Sequence, residues 1–155
     1  MKKILRFSIL SNEKKGFIRE LEMYNIHTLL DLHRAIQTAC DYDQSHLASF
    51  FLVNSNWERK KEFTLIHMDA HTGIYSTEYM DNVKLKNIFT KAGDKMLYIF
   101  DHFSERGFMV MLREVYTANT DDLIPRLLHS EGTPPRQIKT GEAYIDNLLD
   151  SFSEN

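Results

Sequence analysis

The chain of 155 residues is 43% hydrophobic and 12% aromatic with only six Gly and three Pro, enough to bury one ordinary core and unlike a disordered or low-complexity protein. Its 19 Lys+Arg against 22 Asp+Glu leave a formal charge of -3, too even for a dedicated nucleic-acid surface. The single cysteine, Cys40, excludes an intramolecular disulfide and a Cys-based zinc centre, and fits a reducing cytoplasm.

The opening "MKKILRFSIL" has the basic start and apolar run of a signal peptide. Arg6 and Ser8 interrupt that run, no small-residue cleavage site follows, and no apolar stretch approaches the roughly 18 residues of a membrane helix, so no membrane partner is expected. Lys3 to Leu10 and Phe17 to Met23 read instead as two strands of a hairpin around the turn formers of "SNEKKG". In the second run Phe17, Arg19, Leu21 and Met23 alternate with Ile18, Glu20 and Glu22, which predicts one buried face and one wet face. Thr28, three residues before Asp31, has capping-box spacing and starts a helix. Leu29, Leu32, Ile36 and Ala39 give it an apolar stripe, Cys40 sits within it as a buried thiol, and it stops near Asp41.

Two further strands, "HLASFFLVN" and "RKKEFTLIHM", flank the turn "NSNW", while "HTGIYSTEYMDN" reads as a polar loop. "VKLKNIF" predicts a short helical or 3₁₀ turn, and "KAGD" a tight turn in which Gly93 takes a positive φ. "KMLYIFD" and "RGFMVMLREVY" form a second hairpin. The first of these carries Leu97 and Ile99 on one face and Tyr98 and Phe100 on the other, as a central strand buried on both sides does. The stretch 117–140, broken by Pro125 and by Pro134-Pro135, reads as a surface-running connection. Ile145, Leu148, Leu149 and Phe152 then repeat at helical spacing, predicting a terminal amphipathic helix that supports self-association if it docks on another copy. The expected architecture is α+β. A mostly antiparallel sheet of roughly five to seven strands carries one main helix, loosely as in a β-grasp, plus a C-terminal helix. One domain spans residues 1–118, with an arm and helix over 119–155 associated with it.

Few residues suggest chemistry. His67, Asp69 and His71 fall at i, i+2 and i+4, which share a face on a strand and resemble metal-ligand spacing, although a further ligand and supporting shell would be required. His102 follows Asp101 at a strand end, where a general base is conceivable, but adjacent strand residues face opposite ways. There is no G-x-S-x-G, G-x-G-x-x-G or G-x-x-x-x-G-K-[ST] pattern, and a helical, buried Cys40 disfavours a thiolate. No catalytic residue and no cofactor are therefore expected. Arg59, Lys60 and Lys61, with Lys84, Lys86, Lys91 and Lys95, fit either a phosphate-binding patch or a sheet edge guarded by lysines.

Two blocks carry a resemblance. "TLLDLHRAIQTACDYDQSHLASFFL" is similar to the helix-to-strand segment of the plasmid pRiA4b ORF-3-like family through Thr28, Leu29, Leu32, His33, Ile36, Gln37, Ala39, His46, Leu47 and Phe50. "VKLKNIFTKAGDKMLYIFDHFSERGFMVMLREV" resembles that family's second block through Gly93, Asp94, Tyr98 and Asp101. The chain departs from the pattern at Cys40 and Tyr42, where Phe and Trp are usual, and at "HFSERGF", where members commonly carry G-D-x-W-x-H. The resemblance implies an α+β fold and little about activity, and the family's occasional transposon-associated label implies a nucleic-acid role. From the residues themselves His33 reads as a partly buried helix residue and His46 as a hydrogen-bonded group at the helix-strand junction. The expected function is a non-catalytic cytoplasmic binding or protein-interaction module. The alternatives are a mobile-element-associated nucleic-acid-binding protein and a metal-dependent hydrolase using some of His67, Asp69, His71 and His102.

Overall fold

Alternation in the first two apolar runs produces an antiparallel hairpin of β1 (Lys3–Leu10) and β2 (Ile18–Tyr24), with Leu10 opposite Ile18 and Ile4 opposite Tyr24. The computed structural model describes residues 2–66, 76–119 and 121–138. After the hairpin comes α1 (Leu29–Cys40). Its start is a capping box: Thr28 Oγ1 accepts from the Asp31 amide at 3.2 Å, and the Asp31 carboxylate accepts from the Thr28 amide at 2.9 Å. Asp41 ends it at φ 56, a left-handed conformation that Asp tolerates better than most residues. Leu29, Leu32, His33, Ile36, Gln37 and Cys40 form its buried face. Burying Leu29, Leu32 and Ile36 contributes about 1.5–3 kcal/mol each, more than the intrinsic propensity of three helical turns supplies.

The remaining strands are β3 (Ser49–Val53), β4 (Arg59–Thr64), β5 (Ser76–Tyr79), β6 (Lys95–Asp101), β7 (Arg106–Thr117) and β8 (Arg126–Glu131), with single 3₁₀ turns at Met80–Asn82 and Leu85–Asn87. Among the described residues they make one eight-stranded sheet in the order β5-β4-β3-β6-β7-β1-β2-β8. Six neighbouring pairs are antiparallel and one, β4 with β5, is parallel. Phe7, Met23, Phe50, Tyr98, Phe108 and Val110 rise from the helix-covered face and meet α1 together with Met80, Leu85 and Phe89 from the connection before β6. Aromatic geometry fixes that layer: Phe7 meets Phe89 edge-on at 4.7 Å and Phe17 stacks on Phe108 at 5.0 Å. On the opposite face Arg6 bridges Glu20 at 2.9 Å and Glu114 at 3.3 Å, so cross-strand ion pairs tie β1 to both of its neighbours there.

The expected strand count is corrected from five to seven up to eight, and the sheet is mixed. β5 lies in what reads as a polar loop, because four residues are too few for alternation to declare itself. β8 lies in the stretch read as a connection. Pro125 falls just ahead of the strand, where a missing N–H costs no ladder bond, and all six strand residues are exposed, so the sequence carries no buried face to detect. The β-grasp comparison also fails, since both neighbours of β1 are antiparallel and the parallel pair sits at the sheet's margin. The expected C-terminal helix lies outside the described residues, which contain α1 alone among α-helices.

Arg19, 7% exposed on the buried face of β2, explains how β8 and α1 stay together. Its guanidinium donates to the carbonyls of Ile18, Glu131, Gly132 and Ala39 at 2.9 to 3.2 Å. Gly132 has φ +75, and a Cβ there would lie 2.6 Å from the Gly16 carbonyl oxygen, so only glycine fits this crossing. Thr133 to Ile138 then cross back over the C-terminal end of α1, with Pro135 buried and its carbonyl accepting from the Tyr42 hydroxyl.

Candidate functional site

The helix stripe places two polar groups, His33 and Gln37, one turn apart on the buried side of α1, directly over Tyr98 of β6. His33 Nδ1 and Gln37 Nε2 each lie 2.7 Å from the Tyr98 hydroxyl. Gln37 donates into that oxygen, so the one tyrosine proton goes to His33 Nδ1, and the imidazole carries its own proton on Nε2. Burial first, then the neighbouring Arg34 charge, lower the His33 pKa to about 4, while burial pushes the Tyr98 hydroxyl well above its ordinary value. Both are neutral near pH 7. Gln137 Nε2 extends the chain, reaching Gln37 Oε1 at 3.3 Å and the Asp43 carbonyl at 2.8 Å. The cluster is closed and satisfied, and among the described residues no buried side-chain nitrogen or oxygen lacks a partner. His46 is elsewhere, half-exposed and 3.7 Å from Asp43, so the two histidines do not share a site.

Among the described residues, one serine meets a histidine and a carboxylate in a pairing invisible in the sequence. His102 Nε2 lies 2.9 Å from the Ser49 hydroxyl, which also lies 2.7 Å from Glu62 Oε2. Ser49 has one proton and gives it to the carboxylate, so His102 donates into the serine oxygen. That is the reverse of a histidine accepting a nucleophile's proton, and Ser49 is only 2% exposed. Asp101, the sequence neighbour of His102, is occupied separately. It accepts from Arg106 at 2.9 Å and from the Ser104 amide at 3.2 Å. Burial alone would raise its pKa, but these bonds hold it below the ordinary carboxylate range. Burial drives the Cys40 thiol up to about 12, which removes a thiolate from consideration.

His67, Asp69 and His71 lie outside the described residues, and among the described residues no group of three His, Cys, Asp or Glu side chains is arranged to hold a metal. Three of these basic residues are committed: Arg59 pairs with Glu105 at 3.3 Å and Lys61 with Glu78 at 2.8 Å, while Lys95 donates to the Ser55 carbonyl at 3.1 Å. The guarded-edge reading also needs correction. β4 lies one strand inside the margin, and Lys61 reaches outward to β5.

A concave feature lies between α1 and β8. A groove of about 440 Å³ has Leu21, Ala35, Ala39, Pro125 and Leu127 as its apolar lining and His27, Asp31, Arg34 and Arg126 among its polar rim. It exists because Ala35 and Ala39, four residues apart, present one small-residue flank of the helix to a strand it does not reach. Leu123 is 83% exposed, and Leu127 and Leu128 are 47% and 42% exposed along the strand. Most rim charges are already used. Asp31 caps α1, Arg126 Nε bonds buried Glu22 at 2.6 Å, and His27 Nδ1 accepts from the Tyr24 amide at 2.9 Å. Burial is the main cause holding the His27 pKa down.

The model of the family described as plasmid pRiA4b ORF-3-like protein matches residues 3–153, nearly the whole chain. The residues that carried the resemblance now have a physical content: His33, Gln37 and Tyr98 meet in one buried cluster. Asp94 accepts the Thr90 and Lys91 amides in the turn that Gly93 allows at φ +99, and Asp101 anchors the β6-β7 turn. The crystal structure of a protein of unknown function from Methanosarcina mazei Go1 is similar at a TM-score of 0.77 and 19% identity, covering 100% of this chain and 84% of that one. That likeness concerns the fold. No curated protein matches the chain. Among the described residues no helix is long and apolar enough to cross a membrane.

Proposed function

We propose that this chain, which belongs to the plasmid pRiA4b ORF-3-like family, is a non-catalytic cytoplasmic module that binds a protein partner through the α1-β8 side of its sheet. One observation carries the reading. β8 is exposed along all six residues at the margin of the sheet, beside an apolar groove and three exposed leucines. An edge strand with open backbone groups and an adjoining apolar cleft is how extended segments are commonly recognised. The groups that might have reacted support the same reading, because His33, Tyr98, Ser49, His102 and Asp101 are engaged in bonds within the fold. The buried Cys40, with no second cysteine in the chain, suits the reducing cytoplasm assigned here.

Photo-crosslinking tests the assignment. A crosslinker installed at position 127 in the cell of origin is expected to give a reproducible adduct with another protein, and Leu123→Glu is expected to remove it. A crosslinker at exposed position 60 on β4 serves as the control. Adducts as abundant from position 60 as from 127, or none from 127, would overturn the assignment.

A further inference from the structure

We infer that the α1-β8 groove takes an extended, acidic segment of the partner, which pairs as a ninth strand with the outer edge of β8, lowers an apolar side chain against Leu127 and the Ala35-Ala39 flank of α1, and brings a carboxylate to Arg34. The inference rests on the interaction reading above and adds the chemistry of what is bound.

β8 uses only one of its edges within the described residues, pairing with β2 from Glu22↔Arg126 to Ile18↔Glu131. Among the described residues no strand pairs with the backbone N–H and C=O groups of its other edge, and an incoming strand satisfies them without any change in the sheet. A strand added there alternates its side chains between the two faces, so every second one points to the helix side, where the groove lies. The lining at that depth is aliphatic and small, which selects Val, Leu or Ile over a charged or bulky polar group.

Charge decides the rest. Asp31, Arg126 and His27 are each held by bonds within the fold. Arg34 is exposed, lines the groove, and forms no hydrogen bond or ion pair among the described residues. The one uncommitted charge at the rim is therefore positive, and a carboxylate on the helix-facing side of the incoming strand complements it. A second copy of this chain does not supply that group. Its own β8 carries Leu127 and Ser130 on the helix side, in register with Leu21 and Arg19, whereas Glu131 stands opposite Ile18 on the other face.

The test uses the full chain and two fluorescein-labelled peptides, TVTLTETV and TVTLTKTV, in which Leu and the charged residue share a face. Binding is read by anisotropy, and amide hydrogen exchange reports on residues 126–131. TVTLTETV is expected to bind about fivefold more tightly than TVTLTKTV, since the change converts an exposed attraction into a repulsion. It is also expected to slow exchange in β8. Arg34→Glu, a substitution on the exposed side of α1, is expected to reverse the preference while leaving the circular dichroism spectrum unchanged. Equal binding of the two peptides, or a preference that survives Arg34→Glu, would overturn the inference. So would a β8 edge already protected in the free chain, whether by a second copy, seen as a doubled mass, or by residues 139–155, seen at the monomer mass. Protection of β8 without charge preference removes the acidic strand alone, whereas the interaction reading itself falls only with the crosslinks from position 127.

Discussion

Removing one oxygen atom, through Tyr98→Phe, tests whether the buried cluster of His33, Gln37 and Tyr98 is structural. The phenol ring stays in place against Phe50, 4.7 Å away, and Phe108, so no cavity larger than a hydroxyl opens. What is lost is a pair of 2.7 Å bonds, leaving the buried His33 Nδ1 acceptor and the Gln37 Nε2 donor short of a partner. Each orphaned buried group costs about 1–3 kcal/mol, so the variant should lose about 3 kcal/mol. For a chain of this size that is a fall of roughly 6–12 °C in Tm, with a lower urea midpoint at unchanged m-value. The triple variant Tyr98→Phe, His33→Leu, Gln37→Leu should recover a large part of the loss, because apolar groups then face one another. Tyr42→Phe, which gives up a single bond to the Pro135 carbonyl, should cost about 1 kcal/mol. A Tyr98→Phe loss below about 1 kcal/mol, or a triple variant weaker than the single one, would refute the view that this cluster is held for its hydrogen bonds.

Three further outcomes follow from the same contacts. His33 titrates near 4 in the fold against an ordinary 6.5, so between those values the unfolded chain holds the extra proton. Stability is thus complete above about pH 6.5 and declines as the pH falls toward 4, by up to about 3 kcal/mol from this residue. Urea midpoints at pH 7 and pH 4.5 should differ less in His33→Leu than in the parent, with His27 contributing in the same direction. Gly107→Ala should cost about 3 kcal/mol by thermal unfolding, since its Cβ would overlap the Tyr98 carbonyl oxygen across the β6-β7 ladder. Gln137→Ala removes the bonds to Asp43 and Gln37. It should speed proteolytic cleavage within residues 133–138 by roughly fivefold for about 1 kcal/mol of local stability, with a smaller change in global Tm.

Much of the frame can be read along the chain because its causes are local. The alternation of Phe17 to Met23, the Thr28–Asp31 box and the left-handed stop at Asp41 each depend on residues within one turn or one strand. The two edge strands were not legible for the opposite reason. β5 and β8 bury little, and a strand without a buried face carries no period for a sequence to display.

Chain order alone determined the hairpins, the helix and its caps, the scarcity of reactive patterns, and the family to which the two motif blocks point. Tertiary structure decided what those motifs do. Tyr98 meets His33 and Gln37 across separations of 65 and 61 residues, and His102 meets Ser49 across 53. It also decided that Arg34, without an ion-pair partner among the described residues, stands beside an apolar groove, because the strand opposite that helix flank arrives from nearly ninety residues further along. Local propensities act over a few residues, whereas a hydrogen bond's partner or a groove's far wall is set by which strands become neighbours, a choice made by the burial of the whole sheet.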